Sequence, residues 1–107
     1  MSDRVTFDDA DAAITFIKDH AKEYGLLVGR CKGLEHQRKV VRGIQLLESE
    51  KKTVADREAD AESSPDYKSV VKEIEDAWAA KTTLETQLKY SEMRFDLYRS
   101  SNKWGGP

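Results

Sequence analysis

Tyr67, Val70, Ile74, Ala77, Lys81, Leu84, Leu88, Ser91, Phe95 and Tyr98 follow one another at alternating steps of three and four residues. Side chains spaced in this way fall on one edge of an α-helix, and a helix with a single apolar edge has to cover it with another helix to be stable in water. The rhythm therefore predicts one arm of a coiled-coil-like pair. Ser64-Pro65-Asp66 supplies its start: a capping hydroxyl, a proline at the first helical position and an acid in the first turn. The arm is expected over residues 65–101, roughly 55 Å at 1.5 Å per residue. Asn102, Gly105, Gly106 and Pro107 read as its end, with 102–107 a flexible tail.

The covering arm has to come from the preceding half of the chain. Thr6 can cap a helix whose first turn carries Asp8, Asp9 and Asp11, acids that suit the positive end of the helix dipole. Ala10, Ala13, Ile14, Ile17, Ala21 and Tyr24 then form an apolar stripe, which continues through Val28, Cys31 and Leu34 and resumes at Val41 and Ile44 beyond Arg38. A helix is expected over 8–49, either continuous or kinked near Gly25, because an interior glycine costs only about 1 kcal/mol. Thr53-Val54-Ala55-Asp56 reads as a capping box opening a short helix over 53–63 at the bend. The expected fold is all-α: a long antiparallel helical hairpin, coiled-coil-like, forming one domain over 1–107. With 36% charged and 38% hydrophobic residues the chain suits thin amphipathic pairing better than a thick core, so association with further copies is expected to add stability.

Composition also limits the partners. A formal net charge of −2 gives no global attraction to nucleic acid or acidic lipid. No apolar run approaches the ~20 residues of a membrane span, and Met1-Ser2-Asp3-Arg4 lacks the apolar core of a signal peptide, so the cytoplasm is the expected location. The single cysteine, Cys31, has no disulfide partner in the chain and reads as a small core residue.

Two local patterns stand out as candidate surfaces. Ala21, Gly25, Gly29 and Gly33 lie four apart, a row of small residues along which another backbone can approach; the alternative is a flexible or broken segment. Lys32, His36, Arg38, Lys39 and Arg42 lie on or beside one helix face, where cations could meet phosphates along a nucleic-acid strand or an acidic partner, or simply remain solvated. Residues 46–76 have the opposite balance, ten acidic side chains against five basic, which makes the bend acidic. Phe95, Tyr98 and Trp104 with Arg94 and Arg99 could stack bases, although the first two fit the seam, as Trp78 flanks it at Ala77. Lys81 and Ser91 interrupt the apolar seam and either fix register or lay their stems along it.

Chemistry is not signalled. The chain has no glycine-rich phosphate loop, cysteine pair, nucleophile elbow or metal-spaced histidine pair, His20 and His36 lying far apart in sequence. Neither an enzymatic activity nor a cofactor is expected.

The runs Arg38-Lys39-Val40-Val41, Leu47-Glu48-Ser49-Glu50, Val54-Ala55-Asp56-Arg57-Glu58-Ala59, Ser64-Pro65-Asp66-Tyr67 and Glu92-Met93-Arg94-Phe95-Asp96-Leu97-Tyr98-Arg99-Ser100-Ser101-Asn102 resemble a family of small helical proteins encoded by bacteriophages and prophages. The resemblance covers about two thirds of the chain and rests on caps and seam residues. It implies a non-enzymatic accessory protein in the cytoplasm of a bacterial host, binding itself and a protein partner such as a host defence or replication component. It also implies a second possibility, an accessory of phage recombination that contacts single-stranded nucleic acid through the basic face. The tail Lys103-Trp104-Gly105-Gly106-Pro107 departs from the basic ending of such proteins, which takes weight from a nucleic-acid role at that end.

Overall fold

The computed structural model describes residues 4–105, with side chains as far as Ser101. Three helices and no strand occupy these residues: α1 (Phe7–Glu48), α2 (Val54–Glu62) and α3 (Pro65–Gly105). The fold is a long helical hairpin with α2 at its bend.

Each start follows from local hydrogen bonding. The Thr6 hydroxyl accepts from the Asp9 backbone N–H at 3.2 Å while the Asp9 carboxylate accepts from the Thr6 N–H at 3.0 Å, a complete capping box. Thr53 caps α2 by accepting from the Asp56 N–H at 3.1 Å, and Ser64 caps α3 by accepting from the Tyr67 N–H at 3.2 Å. Between α1 and α2 the Ser49 hydroxyl donates to Asp60 at 2.8 Å and Arg57 donates to the Lys51 carbonyl at 2.7 Å, so the connection is tied to α2 by side chains.

One alternative left open by the sequence is settled, and one boundary differs from the sequence reading. Helix α1 runs without interruption through Gly25, and no described glycine has a positive φ, so the glycines here punctuate nothing. Helix α3 extends to Gly105, four residues beyond the expected end at 101, so residues 102–105 are helical; Gly106 and Pro107 lie outside the described residues. A glycine near a terminus stops a helix only where the chain turns left-handed there.

The chain reads as one domain in sequence, but the described residues divide into two compact units through which α1 and α3 both pass. The terminal unit holds the chain up to Leu26 and from Lys81 onward; the bend unit holds Leu27–Ala80. In the terminal unit the arms run antiparallel: Phe7 meets Tyr98 edge to face at 6.1 Å, Asp9 meets Arg94 at 3.2 Å, and the Tyr24 hydroxyl donates to Glu85 at 3.4 Å. In the bend unit Arg30 lies 4.0 Å from Glu73, Arg38 donates to the Tyr67 hydroxyl at 3.3 Å, and Arg42 bridges to Glu58 and Glu62 of α2. That unit also holds a small buried cluster of Cys31, Leu34 and Ala77, with Ile74 against it.

All ten seam residues expected on α3 are buried or half-buried. On α1 the covered line is Ala10, Ala13, Ile17, His20, Tyr24, Leu27, Cys31, Leu34, Arg38, Val41 and Gln45, again in strict three-four alternation. It differs from the stripe expected from apolarity: Ala21 and Ile44 are exposed, while His20 and Arg38 take seam places. Both polar residues are accommodated within the chain. His20 bonds the Phe16 carbonyl at 2.8 Å and stacks on the Phe16 ring at 4.0 Å, and Arg38 lays its stem along the seam and delivers its guanidinium to Tyr67 and Glu35.

A methyl group added at Gly25 would meet nothing within 4 Å. Because the residue is helical and solvent-facing, Gly25→Ala is expected to raise stability by about 0.5–1 kcal/mol, read by urea unfolding; a loss of stability would mean that the helix is not continuous there.

Candidate docking surface

With the seam fixed, the outward sides of the two arms in the bend unit can be compared. On α3 the outward positions are Lys68, Ser69, Lys72, Glu75, Asp76 and Ala79, all exposed and mostly charged. This is the composition expected of a helix side left in water. On α1 the positions opposite the seam are Gly29, Gly33, His36, Val40, Ile44 and Leu47, which at 100° per residue fall within about 40° of a single line. Val40 is 47% exposed, Ile44 46% and Leu47 88%. Gly29 and Gly33 are exposed as well, and a Cβ built on either meets no atom within 4 Å. Helix α1 therefore carries two apolar edges, one covered by α3 and one uncovered.

The four members of the small-residue row all face outward. Ala21 and Gly25 do so in the terminal unit, and Gly29 and Gly33 in the bend unit, so none of them is used for close packing of α1 on α3. The basic run is divided. Arg38 and Arg42 are half-buried and engaged, Arg38 with Glu35 and Tyr67 and Arg42 with Glu58 and Glu62. Hydrogen bonding to the Tyr67 hydroxyl first, and to Glu35 next, raises the pKa of Arg38 above the ordinary guanidinium range. Lys32, His36 and Lys39 alone remain exposed, beside the uncovered edge. The five residues therefore do not form one continuous cationic face.

Sequence reasoning missed Val40 and Leu47 and assigned Ile44 to the core, because apolarity was taken as the sign of burial. The strict alternation from Ala10 would have excluded all three from the seam, since each falls out of step with Leu34, Arg38, Val41 and Gln45.

The terminal unit holds a second feature, an open groove of about 780 Å³ lined by Asp9, Ala12, Ala13, Phe16, Thr86, Gln87, Tyr90, Ser91 and Arg94. Its charged groups satisfy one another. Arg94 donates to the Tyr90 hydroxyl at 2.9 Å and pairs with Asp9 at 3.2 Å. Bonds from the Thr6 backbone and hydroxyl, and then the nearby Arg94 charge, hold the Asp9 carboxyl below its usual range. Elsewhere in this unit Lys81 and then Lys89 lower the pKa of Glu85, which also accepts from Tyr24. The aromatic cluster is absorbed in the same way: Phe95 and Tyr98 are half-buried at the seam, Arg99 lies 3.9 Å from Asp96, and the Trp104 side chain lies outside the described residues. Among the described residues no group of His, Cys, Asp and Glu could hold a metal ion, and no helix is long and apolar enough to cross a membrane.

Neither a protein-family model, a curated protein nor a solved structure matches the chain.

Asp9 binds its proton less readily in the folded chain than in the unfolded one. Its contribution to stability is therefore complete above about pH 4 and is lost as the pH falls through the lowered native value. Asp9→Asn should unfold at lower urea concentration than the parent at pH 7, with the difference shrinking towards zero in strong acid. A difference that does not change with pH would show that the capping box and the Arg94 pair owe nothing to the carboxylate charge.

Proposed function

We propose that the protein is a non-enzymatic protein-interaction module that receives a helix on the outward face of α1 between Gly29 and Leu47. The observation that carries this reading is the uncovered aliphatic edge. Val40, Ile44 and Leu47 stand at i, i+4 and i+7, the spacing with which one amphipathic helix anchors on another, and each is exposed. Contiguous apolar surface of this kind is unusual for a helix facing water, and the outer side of α3 in the same unit shows what the ordinary alternative looks like. The resemblance to small phage-encoded helical proteins makes the cytoplasm of a bacterial host the expected setting. It makes a host defence or replication component, beside the protein itself, the expected class of partner.

The nucleic-acid reading draws less support. Arg38 and Arg42 are committed within the chain, which leaves two exposed lysines, Lys32 and Lys39, to meet phosphates. Two contacts on a single strand imply a slope of log affinity against log salt of roughly −1.4, against roughly −3.5 for five. Fluorescence anisotropy with a labelled single-stranded oligonucleotide is expected to show either no binding or a slope no steeper than the first value. A slope near the second would revive that reading.

The docking face can be tested whatever its occupant. Benzoylphenylalanine placed at Val40 in the full chain, expressed in a bacterial host and photoactivated in the cell, is expected to give discrete protein adducts. The same residue at Lys72, on the polar outer side of α3, is expected to give none. Absence of adducts from position 40, or equal labelling from position 72, would remove the α1 face as a docking surface.

A further inference from the structure

We infer that the occupant of this face is a second copy of the same chain, laid antiparallel across α1 with a two-fold axis beside residues 38 and 39. The inference rests on the docking reading above and adds the identity and register of what docks. Along the uncovered edge the small residues lie on one side of that axis and the large ones on the other. Gly29 and Gly33 precede it; Ile44 and Leu47 follow it at nearly equal distances. Turning one copy about the axis brings Leu47 over the partner's Gly29, Ile44 over the partner's Gly33, and Val40 beside the partner's His36. Each bulky side chain thus meets a position where a Cβ would have open space, and the relation holds in both directions, as an isologous contact requires. Close approach of this kind also explains why two glycines are kept in the middle of a long helix whose own backbone does not need them.

Charge agrees with the same register. Arg30 and Glu48 lie on one flank of the edge, each about 80° round the helix from it, and flanks of the same hand face one another when two helices pack antiparallel. Arg30 of one copy then meets the partner's Glu48, and the pair occurs twice. Arg30 is available for this: its side chain is 58% exposed and its contact with Glu73 is long, at 4.0 Å. Lys39, near the axis, lies about 100° from the contact line, and its ammonium stays in water. A single helix-on-helix contact from Gly29 to Leu47 buries on the order of 1,000 Å² in total, near the lower edge for specific interfaces, so a dissociation constant in the micromolar range is expected.

The test is sedimentation equilibrium on the full chain. The parent protein is expected to show a monomer–dimer equilibrium. Gly33→Leu should raise the dissociation constant at least about tenfold while leaving the circular-dichroism spectrum intact and the monomer no less stable, because a Cβ at this exposed position meets nothing within 4 Å and leucine is the better helix former. Adding Ile44→Ala to that variant reopens space on the partner and should restore dimerisation, a rescue that damage to the fold would not produce. A parent protein that stays monomeric up to about 200 µM, well above the micromolar range expected, would overturn the inference, and so would a Gly33→Leu variant that dimerises normally. The photo-adducts at position 40 separate this failure from failure of the docking reading. An adduct of twice the 12.2 kDa chain mass supports the second copy. Adducts of other masses alone would overturn the second copy while leaving the docking face in place, and no adduct would remove both.

Discussion

The structure depends on one interaction, the lengthwise contact between α1 and α3, in which every third and then fourth residue of each helix is withdrawn from water. Apart from Val5 and Ala61, the buried residues among those described all lie on this seam. Many of the buried seam residues are small, Ala10, Ala13, Cys31 and Ala77 among them, with Leu34, Val70 and Leu84 the larger ones, and among the described residues no large side chain is completely hidden. A contact this thin gains its strength from length, because each turn of helix adds a modest apolar area at about 25 cal/mol per Å². The Thr6–Asp9 capping box and the Arg42 bridges to α2 contribute at one end and at the bend, where the seam itself has least to offer.

The three-four spacing of α3 was fully legible in the sequence, because its seam positions are mostly apolar and the pattern is long. Caps at Thr6, Thr53 and Ser64 were legible for a similar reason, since a hydroxyl or acid at a helix start has few other uses. Helix α1 was harder. His20 and Arg38 occupy covered positions, while Val40, Ile44 and Leu47 occupy uncovered ones, so a search for apolar residues mixes two edges and returns a stripe that drifts from one to the other. Glycine left a related question open. Its cost in a helix is small enough for the ladder of backbone hydrogen bonds to run through Gly25, Gly29, Gly33 and Gly43, and sequence alone does not weigh that cost against the packing on either side.

The candidate surface was half legible. The small-residue row was visible as a pattern, but its orientation was not, because orientation is set by the seam of the whole helix and not by the four residues themselves. The basic run was visible too, yet its division into engaged arginines and exposed lysines required knowing which acids and tyrosines the hairpin brings near. Arginine with its long stem and planar fork is the better residue for reaching across a seam, and lysine the better one for remaining in water, which is how the five residues of this basic run divide.

In each compact unit a tyrosine of one arm bonds a charged group of the other. In the bend unit Arg38 donates to the Tyr67 hydroxyl, and in the terminal unit the Tyr24 hydroxyl donates to Glu85, which Lys81 of the same helix also meets. An apolar repeat of seven residues looks the same after a slide of seven, so it cannot by itself choose between alignments of the two arms. A slide would part Arg38 from Tyr67 in one unit and Tyr24 from Glu85 in the other, and desolvation of the polar groups so stranded would then count against the shifted alignment. The hydrocarbon edge thus makes the arms adhere, whereas the two polar meeting points act as detents that favour one position along the length.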